Sequence, residues 1–261
     1  MVGLKFLKEE MRKIKENENS FLGMDGGKIS SNIWVCGVEF GSDVELMAKY
    51  YNTFVKYYEE RGLKVPYRKD CPKIFLKSTY DRFLAVMYIC LFKEEEIKLP
   101  LDAERIEKVL KKELYNENSE IFKMNLFPLA KKDVSWNADI ENIFGISKEI
   151  YYGSFFNNRM GFIKQIIQKF EPKLIICTSP KDYKDYFVEA FLGNNEIINY
   201  SWDYLVINED KKFKISLYDN GKTKVVIAPF LGRGNLSSHY EVALMAKYLR
   251  KKYPDSFINL I

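Results

Sequence analysis

Three short apolar segments, at 33–36, 174–177 and 225–227, constrain the fold of this chain most strongly. Each segment stops abruptly at a loop, and a helical pattern follows the loop. Runs this short and this uniformly apolar are typical of strands that are buried on both faces of a parallel sheet. We therefore predict an α/β fold of three layers, α/β/α, with a central, mainly parallel sheet of four or more strands and extra helices.

Further patterns place helices around these strands. Apolar residues at helical spacing predict an N-terminal helix within residues 1–15, and Ser42 with Glu45 forms a capping-box pattern for a helix that should run as far as Gly62. The segment 65–118 has a mainly helical pattern, with Asp102 as a helix cap.

The C-terminal half has its own start and stop signals. Ser179, followed by a proline, should begin a helix that ends near Gly193, and Ser238 with Glu241 should begin the last helix. The sequence Asp219-Asn220-Gly221 predicts a hairpin turn between two strands. No repeat, low-complexity tract or linker is present, so we predict a single domain over residues 1–261, with 1–29 as an N-terminal helical extension.

Composition limits the partners and excludes several kinds of site. The formal charge of +5 is modest and spread along the chain, which permits a nucleic-acid partner without requiring one. The chain has 18 Tyr and 19 Phe, which can fill a core or stack on bases. Four widely spaced cysteines and the single histidine, His239, argue against zinc and iron–sulfur sites, so we predict no metal and no cofactor.

The same composition bears on location. Cys36 and Cys177 fall within apolar runs and fit buried thiols in a reducing compartment. Neither a signal-like N-terminus nor an apolar run of about 18 residues is present. We expect a cytoplasmic monomer with no membrane contact.

Three strand-exit loops carry polar or unusual residues that are candidates for binding or catalysis. These loops are 37–41, 125–128 and 229–235. If their strands are parallel neighbours, these loops gather at one edge of the sheet, where α/β proteins bind ligands. Glycines such as Gly37 and Gly41 let a backbone approach a ligand closely, and the helix begun at Ser42 offers amides to an anion.

These loops and their order resemble the uracil-DNA glycosylase superfamily. The shared features are a strand entering a G-x-x-x-G loop, a strand ending at Asn125, an apolar P-K-L-I-I strand after a helix, and the segment 228–230 before a final helix. The resemblance extends over roughly residues 30–252 in the order of its elements. Ala228 and Phe230 replace the His and the Ser of the family's His-Pro-Ser motif.

The resemblance implies a function and a role for each loop residue. It implies a nucleobase- and DNA-binding protein, with hydrolysis of the N-glycosidic bond of a flipped, damaged or deaminated base as its candidate reaction. Glu39 takes the place of the residue that activates water, and Asn125 reads the edge of the base. Phe40, which replaces the family's usual Pro, or Phe127 stacks on the base. The phosphate contacts fall on Gly37, Gly41, Ser42, Arg233 and Asn235.

Alternatives stay open on the sequence alone. The missing motif histidine would remove charge stabilisation of the departing base, so a non-catalytic nucleic-acid-binding relative is one alternative. A hydrolase of small molecules or nucleotides that uses the same loop edge is the other, although common phosphate-loop and nucleophile-elbow motifs are absent. His239 fits either a surface residue or a replacement for the motif histidine.

Plainer interpretations of the loop residues also stand. Glu39 fits a turn cap or a lysine partner, and Asn125 fits a residue that satisfies loop backbone groups. Arg233 fits a solvated loop residue, and both Phe40 and Phe127 fit core positions.

Overall fold

The computed structural model describes residues 2–39, 41, 43–68, 76–93, 98–130, 136, 138–179, 183–193, 198–232 and 234–257. The nine strands within these residues are β1 (Met24–Gly27), β2 (Ile33–Gly37), β3 (Val55–Glu60), β4 (Leu63–Arg68), β5 (Ile121–Asn125), β6 (Leu174–Thr178), β7 (Asn199–Val206), β8 (Lys212–Asp219) and β9 (Lys224–Ala228).

The helices alternate with these strands along the chain. They are α1 (Val2–Lys15), α2 (Val44–Thr53), α3 (Thr79–Phe92), α4 (Ala103–Lys112), α5 (Ala138–Phe144), α6 (Lys148–Ile150), α7 (Phe156–Phe170), α8 (Lys184–Leu192) and α9 (His239–Lys252). A π-helical segment, Tyr151–Phe155, joins α6 to α7, and a short 3₁₀ helix covers Pro254–Ser256.

Seven strands form one mixed sheet in the order β1-β5-β2-β6-β9-β8-β7. The four middle strands, β5, β2, β6 and β9, are parallel, whereas β1 at one edge and β8 and β7 at the other are antiparallel to their neighbours. The predicted α/β fold with at least four strands is therefore confirmed, and all three apolar segments lie in the sheet. The sheet is mixed rather than mainly parallel, because the hairpin of β8 and β9 and the strand β1 add antiparallel pairs.

Alternating residues of the strands enter two separate cores. One core joins side chains such as Trp34, Cys36 and Ile175 to α1, α2, α7 and α8. The other joins Val35 and Ile176 to α3, α4 and α9 on the opposite face of the sheet. Burial on both faces explains why these strands are uniformly apolar in sequence.

Two predictions in the N-terminal third are wrong. The helix predicted to reach Gly62 ends at Thr53, and residues 55–68 form the antiparallel hairpin of β3 and β4 instead. Arg61 and Gly62 both have positive φ, which suits the tight two-residue turn of a twisted hairpin. The region 1–29 is more than a helical extension, because residues 24–27 form β1 and pair with β5.

Helix starts agree with the sequence in part. The capping box of Ser238 and Glu241 and the Asp102 cap are both confirmed. The cap of α2 is Asp43, whose carboxylate accepts from the Leu46 amide at 2.7 Å, while Ser42 lies outside the described residues. The helix predicted to begin at Ser179 and to end near Gly193 is described as Lys184–Leu192 with Gly193 as its C-cap, and residues 180–182 lie outside the described residues. No described helix is long and apolar enough to cross a membrane.

Candidate nucleic-acid interface

The carboxyl ends of the four parallel strands lie side by side, as the sequence predicts. The chain passes from β2 to β5 on one side and then crosses back to β6 on the other, so β2 and β6 mark a switch in strand order. Ligands of open α/β sheets bind in the crevice beyond such a switch. At this edge the Tyr80 hydroxyl of α3 hydrogen-bonds to Thr178 at the end of β6 (2.8 Å).

Asn125 ends β5, but its amide is committed to the protein interior. Its Nδ2 donates to the Gly23 carbonyl (3.0 Å) and to Asp25 (3.1 Å), and its Oδ1 accepts from the Lys123 ammonium (2.7 Å). The residue is 2 % exposed. Both amide hydrogens are therefore used, and only one lone pair of Oδ1 is left for a base. In this arrangement Asn125 satisfies buried groups rather than reading a base edge.

Asn125 belongs to a buried polar network with Asp25, Arg68 and Lys123. The Asp25 carboxylate accepts from Arg68 (2.7 Å) and from Lys123 (2.9 Å). Burial alone would raise the pKa of Asp25, but the Lys123 ammonium and the Arg68 guanidinium outweigh burial and hold that pKa below its usual value. The network fastens β1, β4 and β5 together beside the carboxyl edge.

The two loop glycines have different surroundings. A Cβ on Gly37 would lie 2.8 Å from Asn125 Oδ1, so a side chain here would displace the Asn125 amide from its hydrogen bonds. Gly37 is buried, and its carbonyl accepts from the Leu126 amide (2.9 Å), which joins the loops after β2 and β5. A Cβ on Gly41 would meet nothing within 4 Å. Gly37 is therefore a structural position, and Gly41 faces open space.

Glu39 follows the carboxyl end of β2 and is half-buried, with its Oε2 shielded from solvent. Burial raises the pKa of Tyr151 well above its usual value, and the nearby Glu39 carboxylate raises it further. Tyr151 lies in the π-helical segment, and its hydroxyl accepts from the Leu129 amide (3.4 Å). A carboxylate beside aromatic rings at a strand end is an arrangement that suits a general base, which would accept a proton from water.

Phe127 is a core residue rather than an exposed stacking platform. Its ring is 1 % exposed. The centroids of five other rings lie within 6 Å of it: Tyr151, Tyr152, Phe156, Tyr183 and Tyr186. A base could reach this ring only if the cluster opened.

Arg159 of α7 is hydrogen-bonded to the loop after β5. Its guanidinium is buried and donates to the carbonyls of Asn125 (3.1 Å), Leu126 (3.3 Å) and Ser20 (3.2 Å). Burial lowers the pKa of Arg159 to about 10. Three carbonyl partners compensate for part of the cost of burying this cation.

The other residues of the predicted site are described only in part. Phe40, Ser42 and Arg233 lie outside the described residues. His239 is half-buried, and its Nδ1 accepts from the Leu101 amide (3.1 Å) while its ring edge meets Phe83. Its imidazole therefore packs the start of α9 against Leu101 and Phe83 of the same chain. Within the described part of the chain, no three His, Cys, Asp or Glu side chains are grouped as metal ligands.

A cleft of about 650 Å³ opens at the carboxyl ends of β6 and β9 and continues along β8. Its described lining contains three lysines, two aromatic residues and several small polar residues, but neither Glu39 nor Asn125. The described lining residues are Ser179, Lys184, Tyr204, Lys212, Phe213, Lys214, Ser216, Ile227, Ala228, Pro229 and Asn235. Of the predicted phosphate contacts, the cleft contains Asn235.

The cleft continues onto an exposed face of the outer hairpin, which we call the open face. The open face consists of the side chains of β7 and β8 that alternate toward one side: Tyr200, Trp202, Tyr204, Val206, Lys212, Lys214 and Ser216. The opposite side of β7 is covered by α9, where Asp203 accepts from Tyr248 and Lys252. The hairpin is therefore covered on one side only.

Lysines lie against the rings of the open face. Lys212 is 4.7 Å from the Tyr204 ring centroid, Lys214 is 5.0 Å from Trp202, and Lys184 of α8 is 4.7 Å from Tyr200. A cation–π contact at an exposed site is worth about 0.5–1 kcal/mol. Stacking of a base on an aromatic side chain is worth about 1–3 kcal/mol. Of these two interactions, base stacking is the stronger one for an exposed ring.

Sequence reasoning missed these residues, although a signal was present. In Asn199–Val206 every second residue from 200 to 204 is aromatic, and two lysines with the same spacing follow at 212 and 214. A period of two places such residues on one face of adjacent strands.

No protein-family model, curated protein or solved structure matches the chain.

Proposed function

We propose that the protein binds nucleic acid, with a nucleotide in the cleft at the carboxyl ends of β6 and β9. The observation that carries this proposal is the lining of the cleft, where Lys184, Lys212 and Lys214 lie together with the aromatic ring of Tyr204. The described lining contains no carboxylate. Clustered cations with flat apolar groups suit a ligand that has both phosphates and bases.

The arrangement of the strands supports a relationship to the uracil-DNA glycosylase superfamily, as a divergent α/β/α member. The strands that carry the resemblance, β2, β5, β6 and β9, are parallel neighbours, and their exit loops share one edge. The cleft lies at this edge. A polymer fits better than a free metabolite, because the cleft opens onto the exposed aromatic and basic surface of β7 and β8.

We expect the double variant Lys212→Gln/Lys214→Gln to weaken binding of a fluorescein-labelled oligonucleotide at low salt. Removal of two phosphate contacts should also flatten the dependence of log K on log salt, by about 0.7 per lysine for a single strand. Fluorescence anisotropy at a series of salt concentrations measures both effects.

The matched control is Lys56→Gln/Lys64→Gln on the separate hairpin of β3 and β4, which removes the same charge from exposed positions. This control should leave affinity and salt slope close to those of the wild type. Equal losses in the two double variants would indicate attraction by net charge alone and would contradict a defined site. Absence of binding to any oligonucleotide, with binding of a mononucleotide, would favour the metabolite-hydrolase alternative.

Base release is the second candidate function, and the position of Glu39 favours it. This carboxylate lies at the exit of β2, half-buried beside the aromatic cluster around Tyr151. Such a group can orient water or stabilise the positive charge that forms as a glycosidic bond breaks. The Asn125 amide is already hydrogen-bonded within the protein. This argues that other groups select the base, or that the protein binds without turnover.

A further inference from the structure

We infer that the open face stacks the unpaired bases of a single strand, so that the protein prefers single-stranded nucleic acid to duplex. This inference rests on the proposed function and adds the form of nucleic acid that the site accepts. It uses residues beyond the cleft itself, mainly Tyr200 and Trp202 of the outermost strand.

Three aromatic side chains form a row along β7. Tyr200, Trp202 and Tyr204 are 47 %, 52 % and 40 % exposed, which is unusual for large rings on one strand. Alternate residues of a strand are about 6.6 Å apart along its axis. This spacing is comparable to the distance between successive bases of an extended single strand. The row begins at the cleft with Tyr204 and leads away from it.

The charges on the open face identify the occupant. Neither β7 nor β8, both fully described, places a carboxylate on this face, whereas Lys212 and Lys214 lie directly across from β7 on it. An apolar protein partner would bury these ammonium groups without a counter-charge, which is costly. An occupant with flat rings and regularly spaced negative charges satisfies both the aromatic side chains and the lysines.

The exposed aromatic faces discriminate between nucleic-acid forms. In a duplex the faces of the bases are already stacked on one another, so a duplex can offer this surface little more than its phosphates. A single strand can turn its bases onto the rings, and aromatic residues on exposed sheets bind single strands in this way. The lysines would bind either form, whereas the row of rings favours the single strand.

The test compares binding of a single-stranded oligonucleotide and its duplex to the wild type and to Trp202→Ala. We expect wild-type affinity to be higher for the single strand. Trp202→Ala should lower single-strand affinity about 5- to 150-fold, with little change for the duplex. Trp202→Phe should retain most of the affinity, since a ring remains. Tyr57→Ala on β3, an equally exposed strand aromatic, should change neither.

Other outcomes separate this inference from the proposed function. Equal binding of both forms, with no effect of Trp202→Ala but a loss in Lys212→Gln/Lys214→Gln, would overturn the inference and leave the proposed function standing. Binding of neither form would overturn both. Dissociation of a dimer by Trp202→Ala, measured by sedimentation without nucleic acid, would assign the open face to self-association and would also overturn the inference.

Discussion

Asp25→Ala should lower the free energy of unfolding by about 3–5 kcal/mol, because it removes the carboxylate that accepts hydrogen bonds from two buried cations, Arg68 and Lys123. Both cations are within hydrogen-bonding distance of Asp25 in the wild type. Urea unfolding followed by circular dichroism measures this loss. A change of less than about 1 kcal/mol would contradict the described network.

The control for this variant is Asp203→Ala, which removes the exposed partner of Lys252. An exposed ion pair contributes about 0–1 kcal/mol, so this variant should remain near wild-type stability. The contrast separates loss of a buried network from loss of a carboxylate in general.

Asp25→Ala should also change how the free energy of unfolding depends on pH in the acid range. The folded-state pKa of Asp25 is below its unfolded value of 3.8, so the folded state binds fewer protons between the two pKa values. The contribution of the Asp25 carboxylate to the stability of the folded state is therefore complete above the unfolded-state pKa. This contribution is lost as the pH falls through the folded-state pKa. Wild-type stability should decline below about pH 4 more steeply than that of Asp25→Ala.

Glu39→Gln should reduce base release by about 10²–10⁴-fold while affinity for the oligonucleotide stays near that of the wild type. The carboxylate would act on water or on the developing sugar cation, so its contribution appears mainly in the transition state. The assay follows base release from single-stranded and duplex oligonucleotides that carry uracil, hypoxanthine or xanthine.

Glu45→Gln, at an exposed position in the first turn of α2, is the matched control and should release base at the wild-type rate. Binding without release from any substrate, in wild type and variants alike, would contradict the catalytic candidate. It would favour the non-catalytic alternative, in which the missing motif histidine explains the lack of turnover.

The sequence predicts the middle of the fold better than its edges. Short apolar runs such as Ile33–Cys36 have one reasonable environment, a strand buried on both faces, and the structure places them there. The segment 55–60 has aromatic residues at positions that fit either a helix or a strand, and pairing with β4 decides the outcome. Local periodicity could not predict this pairing, because the partner strand and the turn at Gly62 determine it.

The sequence predicted that the strand-exit loops share one edge of the sheet, but it did not predict the surroundings of the loop residues. The order of strands and helices correctly predicts that the strand-exit loops lie at one edge, since the carboxyl ends of parallel strands lie at the same edge of a sheet. Burial was not readable from the sequence. Asn125 and Phe127 follow an exposed-looking loop pattern, yet each is enclosed by groups distant in the chain, such as Asp25 and Tyr186. A polar residue at a strand end does not reveal whether its partner is a ligand or the protein.

The most direct test of the central claim is photocrosslinking of a single-stranded oligonucleotide that carries 5-iododeoxyuridine, followed by peptide mass spectrometry. We expect crosslinks on the aromatic residues of β7, at Tyr200, Trp202 or Tyr204. These crosslinks should be competed by unlabelled single strand and weakened by Lys212→Gln/Lys214→Gln. Crosslinks confined to other surfaces, such as the β3–β4 hairpin, would contradict the claim that the cleft and the open face bind nucleic acid.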